Sequence, residues 1–252
     1  MTKTIKAITF DLWDTVFIDD TDEPKRKAAG RPPKPVERRK LVHQFIEKHT
    51  PVDYELVTKV YDTADAAFRK VWHEHHVTWS VFERLSIIMK GLGVTLPDAE
   101  MEELVRRHED MELEFRPNFV EGVHEAIKSL HGKYRLGVIS DTIFSPGRAL
   151  RQLLADEGLL DFFDALIFSD EIGKSKPEPV MFYSACQRLG VQLDELVHIG
   201  DREHNDIAGP KNLGARAILC TAAIDRGSSE TKADAMFHIY QELPALIEKL
   251  AS

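Results

Sequence analysis

Four short stretches carry residues whose types and spacing could do chemistry together. "FDLWDT" ends an apolar run on Asp11, with Trp13 and Asp14 just beyond it. "VISDT" ends a second apolar run on Ser140 and Asp141. "GKSKPEP" offers Lys174 and Lys176, and "HIGDREHNDIAG" offers Asp201 and Asp206. Three carboxylates, Asp11, Asp201 and Asp206, suit a hard divalent cation such as Mg2+, which prefers oxygen ligands and keeps several waters. A lysine balances their charge and grips a phosphoryl oxygen as a point charge. A serine hydroxyl takes another oxygen. Cation, lysine and hydroxyl around an aspartate fit in-line phosphoryl transfer to that aspartate.

Taken singly, each residue has an ordinary explanation. Ser140 or Asp141 can cap a turn, a lone lysine usually faces water, and Asp206 can be a helix N-terminal charge. Their weight comes from standing at the ends of successive strand-like runs. In open parallel sheets, ligands bind beyond the carboxyl ends of the strands.

The elements that must position them follow from the apolar pattern. Residues 5–10 read as a buried strand. From Asn118 onward helices and strands alternate. A helix over 120–131 precedes the strand "YRLGVIS", and one near 146–157 precedes "DALIFS". The proline-led "PEPVMFYSACQRLG" precedes "ELVHIG", and the partly helical "NDIAGPKNLG" precedes "ARAILC". "ELPALIEKL" closes the chain as a helix. Such runs suit strands buried on both faces of a parallel sheet. Between Val36 and Phe115 the pattern is helical throughout, with Asp53 as an N-cap, Gly91 and Gly93 near a helix end, and Pro97 and Asp98 opening another helix. The predicted fold is α/β, a doubly wound, mostly parallel, Rossmann-like sheet. It comprises residues 1–17 and 116–252, with an all-helical cap over 18–115.

The segment after the first strand is the least regular. Asp19, Asp20, Asp22 and Glu23 precede a basic run from Lys25 to Lys40, and prolines at 24, 32, 33 and 35 predict no helix before about residue 36. Two readings stay open: a basic flap that greets an anionic substrate, or a solvated linker.

Bulk properties set the remaining bounds. With 252 residues, 43% of them apolar and 30% charged, the chain can form one large domain or a core with a smaller one. A formal net charge of -9 argues against a nucleic-acid binder. It leaves room for a small anionic substrate in a locally positive pocket. Cys186 and Cys220 lack metal-ligand spacing and read as buried thiols. "MTKTIKAITF" has no leader pattern, and no apolar run approaches the ~18 residues of a membrane span, so no membrane association and a cytoplasmic location are expected.

The four motifs, in this order, resemble those of the haloacid dehalogenase-like hydrolase superfamily. The helical block resembles the cap inserted between the first and second motifs in phosphoglycolate phosphatase-like members. The resemblance implies a Mg2+-dependent phosphatase acting on a small phosphorylated metabolite. Asp11 would be the nucleophile that forms an aspartyl-phosphate. Ser140, with the backbone at Asp141, would bind the phosphoryl group, and Lys176, rather than Lys174, would pair with nucleophile and phosphate. Asp201 and Asp206 would hold Mg2+ with Asp11 and the backbone carbonyl of Trp13.

One position departs from the family pattern. Phosphatases of this kind usually carry a second aspartate two residues after the nucleophile, as general acid and base, and Trp13 occupies that place. Three readings follow. The acid comes from elsewhere, with Asp14, His73, His75 and His76 as candidates, or a good leaving group needs none. Alternatively, Asp11 attacks carbon, as in the metal-independent 2-haloacid dehalogenases. Or the chain is a catalytically weak binding or regulatory member. The acidic fourth motif favours the first.

Overall fold

The structure is a computed structural model and describes residues 4–251. Its first strand, β1 (Ala7–Phe10), is buried along its whole length. The chain then forms β2 (Phe17–Ile18), which pairs antiparallel with β3 (Asn118–Phe119). These two short strands stand where the chain leaves the sheet and where it returns. Between them lie α1 (Glu23–Ala28), α2 (Lys34–Glu47), α3 (Tyr54–His75), α4 (Val81–Leu92), α5 (Asp98–Glu109) and α6 (Met111–Glu114). After β3, α7 (Val123–Leu130), α8 (Gly147–Asp156), α9 (Ser169–Ile172), α10 (Pro179–Leu189), α11 (Gly209–Asn212) and α12 (Leu243–Ala251) are interleaved with the strands. Those strands are β4 (Arg135–Ser140), β5 (Ala165–Phe168), β6 (Leu196–Gly200), β7 (Arg216–Cys220) and β8 (Ala235–Phe237).

Among the described residues, six strands form one sheet in the order β5-β4-β1-β6-β7-β8, and every pair is parallel. β1 is central, paired with β4 on one side and β6 on the other. The chain builds outward from β1 to β5, then returns to β6 and builds the other way. The carboxyl ends of β1, β4 and β6 therefore meet at the point where strand order reverses, the usual crevice of this architecture. The apolar runs behave as expected of strands covered on both faces. Phe10, Val138, Ile199 and Ile218 are fully buried in the main core.

The helical insert has a core of its own, built on Phe45, Val57, Leu85, Ile88 and Leu104. Its helix ends follow sequence chemistry. The Asp53 side chain accepts from the Glu55 N–H as the N-cap of α3. Ser80 and Glu83 form a reciprocal capping box at α4, and Gly93 ends that helix with φ of 65°.

Two expectations are corrected here. Helix begins before residue 36, because α1 accepts Pro24 and α2 accepts Pro35 in its first turn, where a missing N–H costs nothing. The charged segment is also not a solvated linker throughout: Lys25, Lys27 and Lys40 are exposed, but Lys34 and Arg38 line a cavity. Asp22, Arg26, Lys34, Glu37 and Arg38 are all buried. Lys34 Nζ reaches Asp22 at 2.8 Å and Glu112 at 3.2 Å, while Glu37 pairs with both Arg26 and Arg31. The buried acids and bases of this run form an ion network packed against α6. The predicted thiols are indeed free and buried. Among the described residues no helix is long and apolar enough to cross a membrane.

His108, on α5, is fully buried in the insert, with Nδ1 2.8 Å from the Leu104 carbonyl oxygen. Burial pushes its imidazole down from 6.5 to about 3. Between those values the unfolded chain binds a proton that the folded chain refuses, so stability falls as pH falls through this window. The slope has an upper limit of about 1.4 kcal/mol per pH unit. The urea midpoint should drop between about pH 7 and about pH 5, and His108→Phe should flatten that drop. An unchanged slope in the variant would show that other groups carry the acid sensitivity.

Candidate active site

Asp11 is the first residue beyond β1, and its N–H donates to the Ile199 carbonyl at 2.8 Å, so the sheet ladder itself fixes it. Asp201 follows β6, and Asp206 lies in the π-helical turn over residues 203–208. Carboxylate oxygens of Asp11, Asp201 and Asp206 all lie within 4.8 Å of one another, and all three side chains are buried. Lys176 enters from the loop before α10. Its Nζ donates to Asp11 Oδ1 at 2.7 Å and to Asp206 Oδ1 at 2.6 Å. Lys174 stays outside this cluster and reaches the His75 carbonyl at 3.3 Å.

Asp206 is the most heavily bonded of the three. Its Oδ1 also lies 3.2 Å from His198 Nε2, and its Oδ2 accepts the Arg202 N–H at 3.0 Å. His198 in turn sits 2.9 Å from Thr9 Oγ1. Asp201 Oδ2 accepts from Arg226 Nε at 2.5 Å, whereas its Oδ1 is buried with no hydrogen-bond partner among the described residues.

The electrostatics follow from this crowding. Burial drives the Asp11 carboxyl far above its usual range, Lys176 resists, and Asp206 and Asp201 add to the rise. Burial, then the Asp206 charge, raises Asp201 as well. Burial works against Asp206 too, but Lys176 and His198 outweigh it and hold it below the carboxylate range. Burial would strip the Lys176 proton, and the surrounding carboxylates more than restore it. A buried trio of acids is costly without matching positive charge. An all-oxygen donor set with one orphaned, buried carboxylate oxygen on Asp201 fits a hard divalent cation such as Mg2+.

The second strand end divides into two. Asp141 faces the cavity above the trio, accepts the Lys176 N–H at 2.9 Å, and lies 3.2 Å from Asn205 Nδ2. Burial takes its carboxyl up to about 6. Ser140 is fully buried, its Oγ makes a long 3.4 Å contact to the Asp141 carbonyl, and it does not line the cavity. Trp13 does line it, half-buried, with its indole edge-on to Phe17 at 5.5 Å.

The candidate replacements for an acid lie elsewhere. Asp14 has φ of 54°, accepts the Asp19 N–H at 3.0 Å and pairs with Arg226 at 2.5 Å. It is absent from the cavity lining, as are His73, His75 and His76. His76 instead packs on His204 at 5.8 Å.

The cavity holds about 260 Å³ and extends from Asp11 and Lys176 to the helical insert, where Lys34, Arg38 and Trp72 close it. Lys34 and Arg38 belong to the basic run from Lys25 to Lys40, one reading of which is a flap for an anionic substrate. Sequence reasoning missed Trp72, because only the folding of α3 over the sheet brings it there. Asn205 was legible in principle, inside the "DREHND" spacing.

An open parallel α/β sheet with acids at its switch point and a lysine across them defines a Rossmann-type hydrolase class. A family model for haloacid dehalogenase-like hydrolase matches residues 5–214. The chain belongs to that family. It is 30% identical over 129 residues to pyrophosphatase PpaX of Halalkalibacterium halodurans, covering 51% of this chain and 58% of that one. It is 25% identical to a glyceraldehyde 3-phosphate phosphatase of Methanopyrus kandleri, covering 88% of this chain and 85% of that one. In fold it resembles a 2-haloacid dehalogenase from Pseudomonas syringae pv. Tomato DC3000, with a TM-score of 0.65 at 23% identity over 98% of this chain and 99% of that one.

Gly200 shows how tightly the trio is packed. A Cβ there would lie 2.4 Å from Asp206 Cγ. Overpacking of this kind costs about 1–3 kcal/mol and moves the neighbour. Gly200→Ala should therefore lower the unfolding free energy in urea by about 1–3 kcal/mol. Wild-type stability in the variant would mean that the Asp206 turn can shift to make room.

Proposed function

We propose that the chain is a Mg2+-dependent phosphatase for a small phosphorylated metabolite, working through an aspartyl-phosphate on Asp11. The observation that carries this reading is the Asp11–Lys176–Asp206 cluster with the orphaned Asp201 oxygen beside it. The helices over 18–115 act as a cap on a core of 1–17 and 116–252, with residues 1–3 and 252 outside the described part. Mg2+, held by Asp11, Asp201, Asp206 and the Trp13 carbonyl, would supply positive charge to the phosphoryl oxygens.

The remaining steps belong to the chain's own side chains. Lys176 donates to Asp11 Oδ1, which leaves Oδ2 as the attacking atom. Oδ2 forms a bond to phosphorus as the ester P–O bond breaks, and the leaving oxygen keeps the electron pair. Lys176 balances charge on the phosphoryl group. On the β4 side the backbone at Asp141 is the group left to take a phosphoryl oxygen, since Ser140 is buried away from the cavity. Water then attacks phosphorus, and Asp11 is released with inorganic phosphate.

Trp13 sets the limit on this chemistry. Its indole lines the cavity where related phosphatases carry an acid, and Asp14 is tied up by Arg226 and the Asp19 N–H. A general acid–base group contributes ~10²–10⁴-fold. Good leaving groups, such as aryl phosphates or anhydrides, are therefore the favoured substrates. Trp13 is also the observation that favours a second reading, carbon attack by Asp11 in a 2-haloacid dehalogenase. The acidic trio weighs against it, because it repels a carboxylate substrate at the reacting centre.

Phosphate release from p-nitrophenyl phosphate should require Mg2+ and vanish in Asp11→Asn. Halide release from a 2-haloacid without metal would transfer support to the second reading. A retained binding partner with neither activity would support a regulatory member. Trp13→Asp should raise hydrolysis of alkyl phosphates by about tenfold or more over wild type. No gain would mean that the pocket already has an acid or cannot use one.

A further inference from the structure

The wall of the cavity formed by the helical insert carries a guanidinium with unpaired donors. Arg38, on α2, is 4% exposed and lines the cavity, yet its Nε and one Nη make no hydrogen bond among the described residues. Its nearest carboxylate oxygen, Glu112 Oε1, is 3.6 Å from Nη2, beyond hydrogen-bond range, and Lys34 Nζ approaches that same oxygen more closely, at 3.2 Å. The other oxygen of Glu112 accepts the Ser145 hydroxyl at 2.5 Å. Phe144 covers one face of the guanidinium at 3.5 Å. A ring under the face satisfies none of the donors, which lie in the guanidinium plane. Trp72, on α3, adds a second orphan: its indole N–H is buried in the same lining and also lacks a partner. Arg69 contributes a further positive charge nearby, with its Nε held by Asp65 at 2.9 Å.

A buried guanidinium with free donors is expensive, and a planar, bidentate oxyanion is its natural complement. Lys34 cannot play this part, because Asp20, Asp22 and Glu112 already surround it. A cavity of about 260 Å³ joins Arg38 to Asp11, so one small molecule can touch both ends.

We propose that this is a second anion subsite: the substrate carries, besides its reacting phosphoryl group, a second anionic group, carboxylate or phosphoryl, that Arg38 and the Trp72 N–H receive. The inference deepens the phosphatase reading and rests on it for the first anion only. The substrate class is then a doubly anionic small phosphoester or anhydride. A neutral sugar or alcohol phosphate would leave Arg38 bare.

Binding of non-reacting probes tests this apart from turnover. Wild-type protein with Mg2+ is titrated calorimetrically with ethylphosphonate, phosphonoacetate, 3-phosphonopropionate, methylenediphosphonate and succinate. At least one doubly anionic phosphonate should bind about tenfold or more tightly than ethylphosphonate. That advantage should disappear in Arg38→Gln and shrink in Arg38→Lys, which keeps the charge beside Glu112 but loses the planar fork. Should Arg38→Gln fail to fold by circular dichroism, the wild-type series and Arg38→Lys decide. Equal binding of all phosphonates, or an advantage indifferent to both variants, overturns the subsite and leaves the phosphatase reading standing. Arg38-dependent binding of succinate with no phosphonate binding supports the subsite and overturns the phosphatase reading. Binding of no probe overturns both.

Discussion

The lysine clamp is the interaction on which the rest of this molecule depends. Lys176 spans Asp11 and Asp206, groups delivered by the ends of β1 and the turn after β6, and all three are buried. Breaking a buried pair by removing one partner typically costs about 3–5 kcal/mol, because the other charge is left stranded. The clamp therefore demands that the ends of β1 and β6 stand side by side with the loop before α10. The parallel ladder fixes those strand ends: Phe10 pairs with Val138 on one side and Ile199 on the other.

Around the clamp, charges are arranged so that one carboxylate is satisfied and another is not. Asp206 takes Lys176, His198 and the Arg202 N–H, while Asp201 keeps a bare oxygen. The asymmetry leaves an oxygen of Asp201 free beside a carboxylate that anchors Lys176. The same economy appears across the cavity. Lys34 is saturated by acids and acts as a structural tie, whereas Arg38 beside it retains donors. The buried ion network of the insert thus sets which of its side chains keep free donors beside the cavity.

Trp13 connects these two regions. It belongs to the loop that begins at Asp11, packs on Phe17, and Phe17 packs on Phe119 at 4.7 Å across the paired strands β2 and β3. Trp13 is therefore tied to the paired strands at which the helical insert leaves the sheet and returns to it. A large aromatic there adds packing where the helices join the sheet.

The sequence by itself determined the sheet, its helices and the trio with its lysine. Apolar runs of strand length, glycine and proline at element ends, and acids at strand ends are local signals, and each reports the backbone state of its own neighbourhood. The family resemblance singled out Lys176 over Lys174, and the structure buries only the former in the clamp. β8 and the β2–β3 pair were not legible, because strands of two or three partly exposed residues leave no periodicity to read. Only the tertiary structure decided the fate of the charged stretch from Asp19 to Lys40. A run of alternating charge looks the same whether it meets water or Glu112, since the partner comes from α6, far along the chain. It likewise decided that Arg38 and Trp72 face Asp11 across one cavity, because that is a property of how α2 and α3 lie over the sheet rather than of any residue's neighbours.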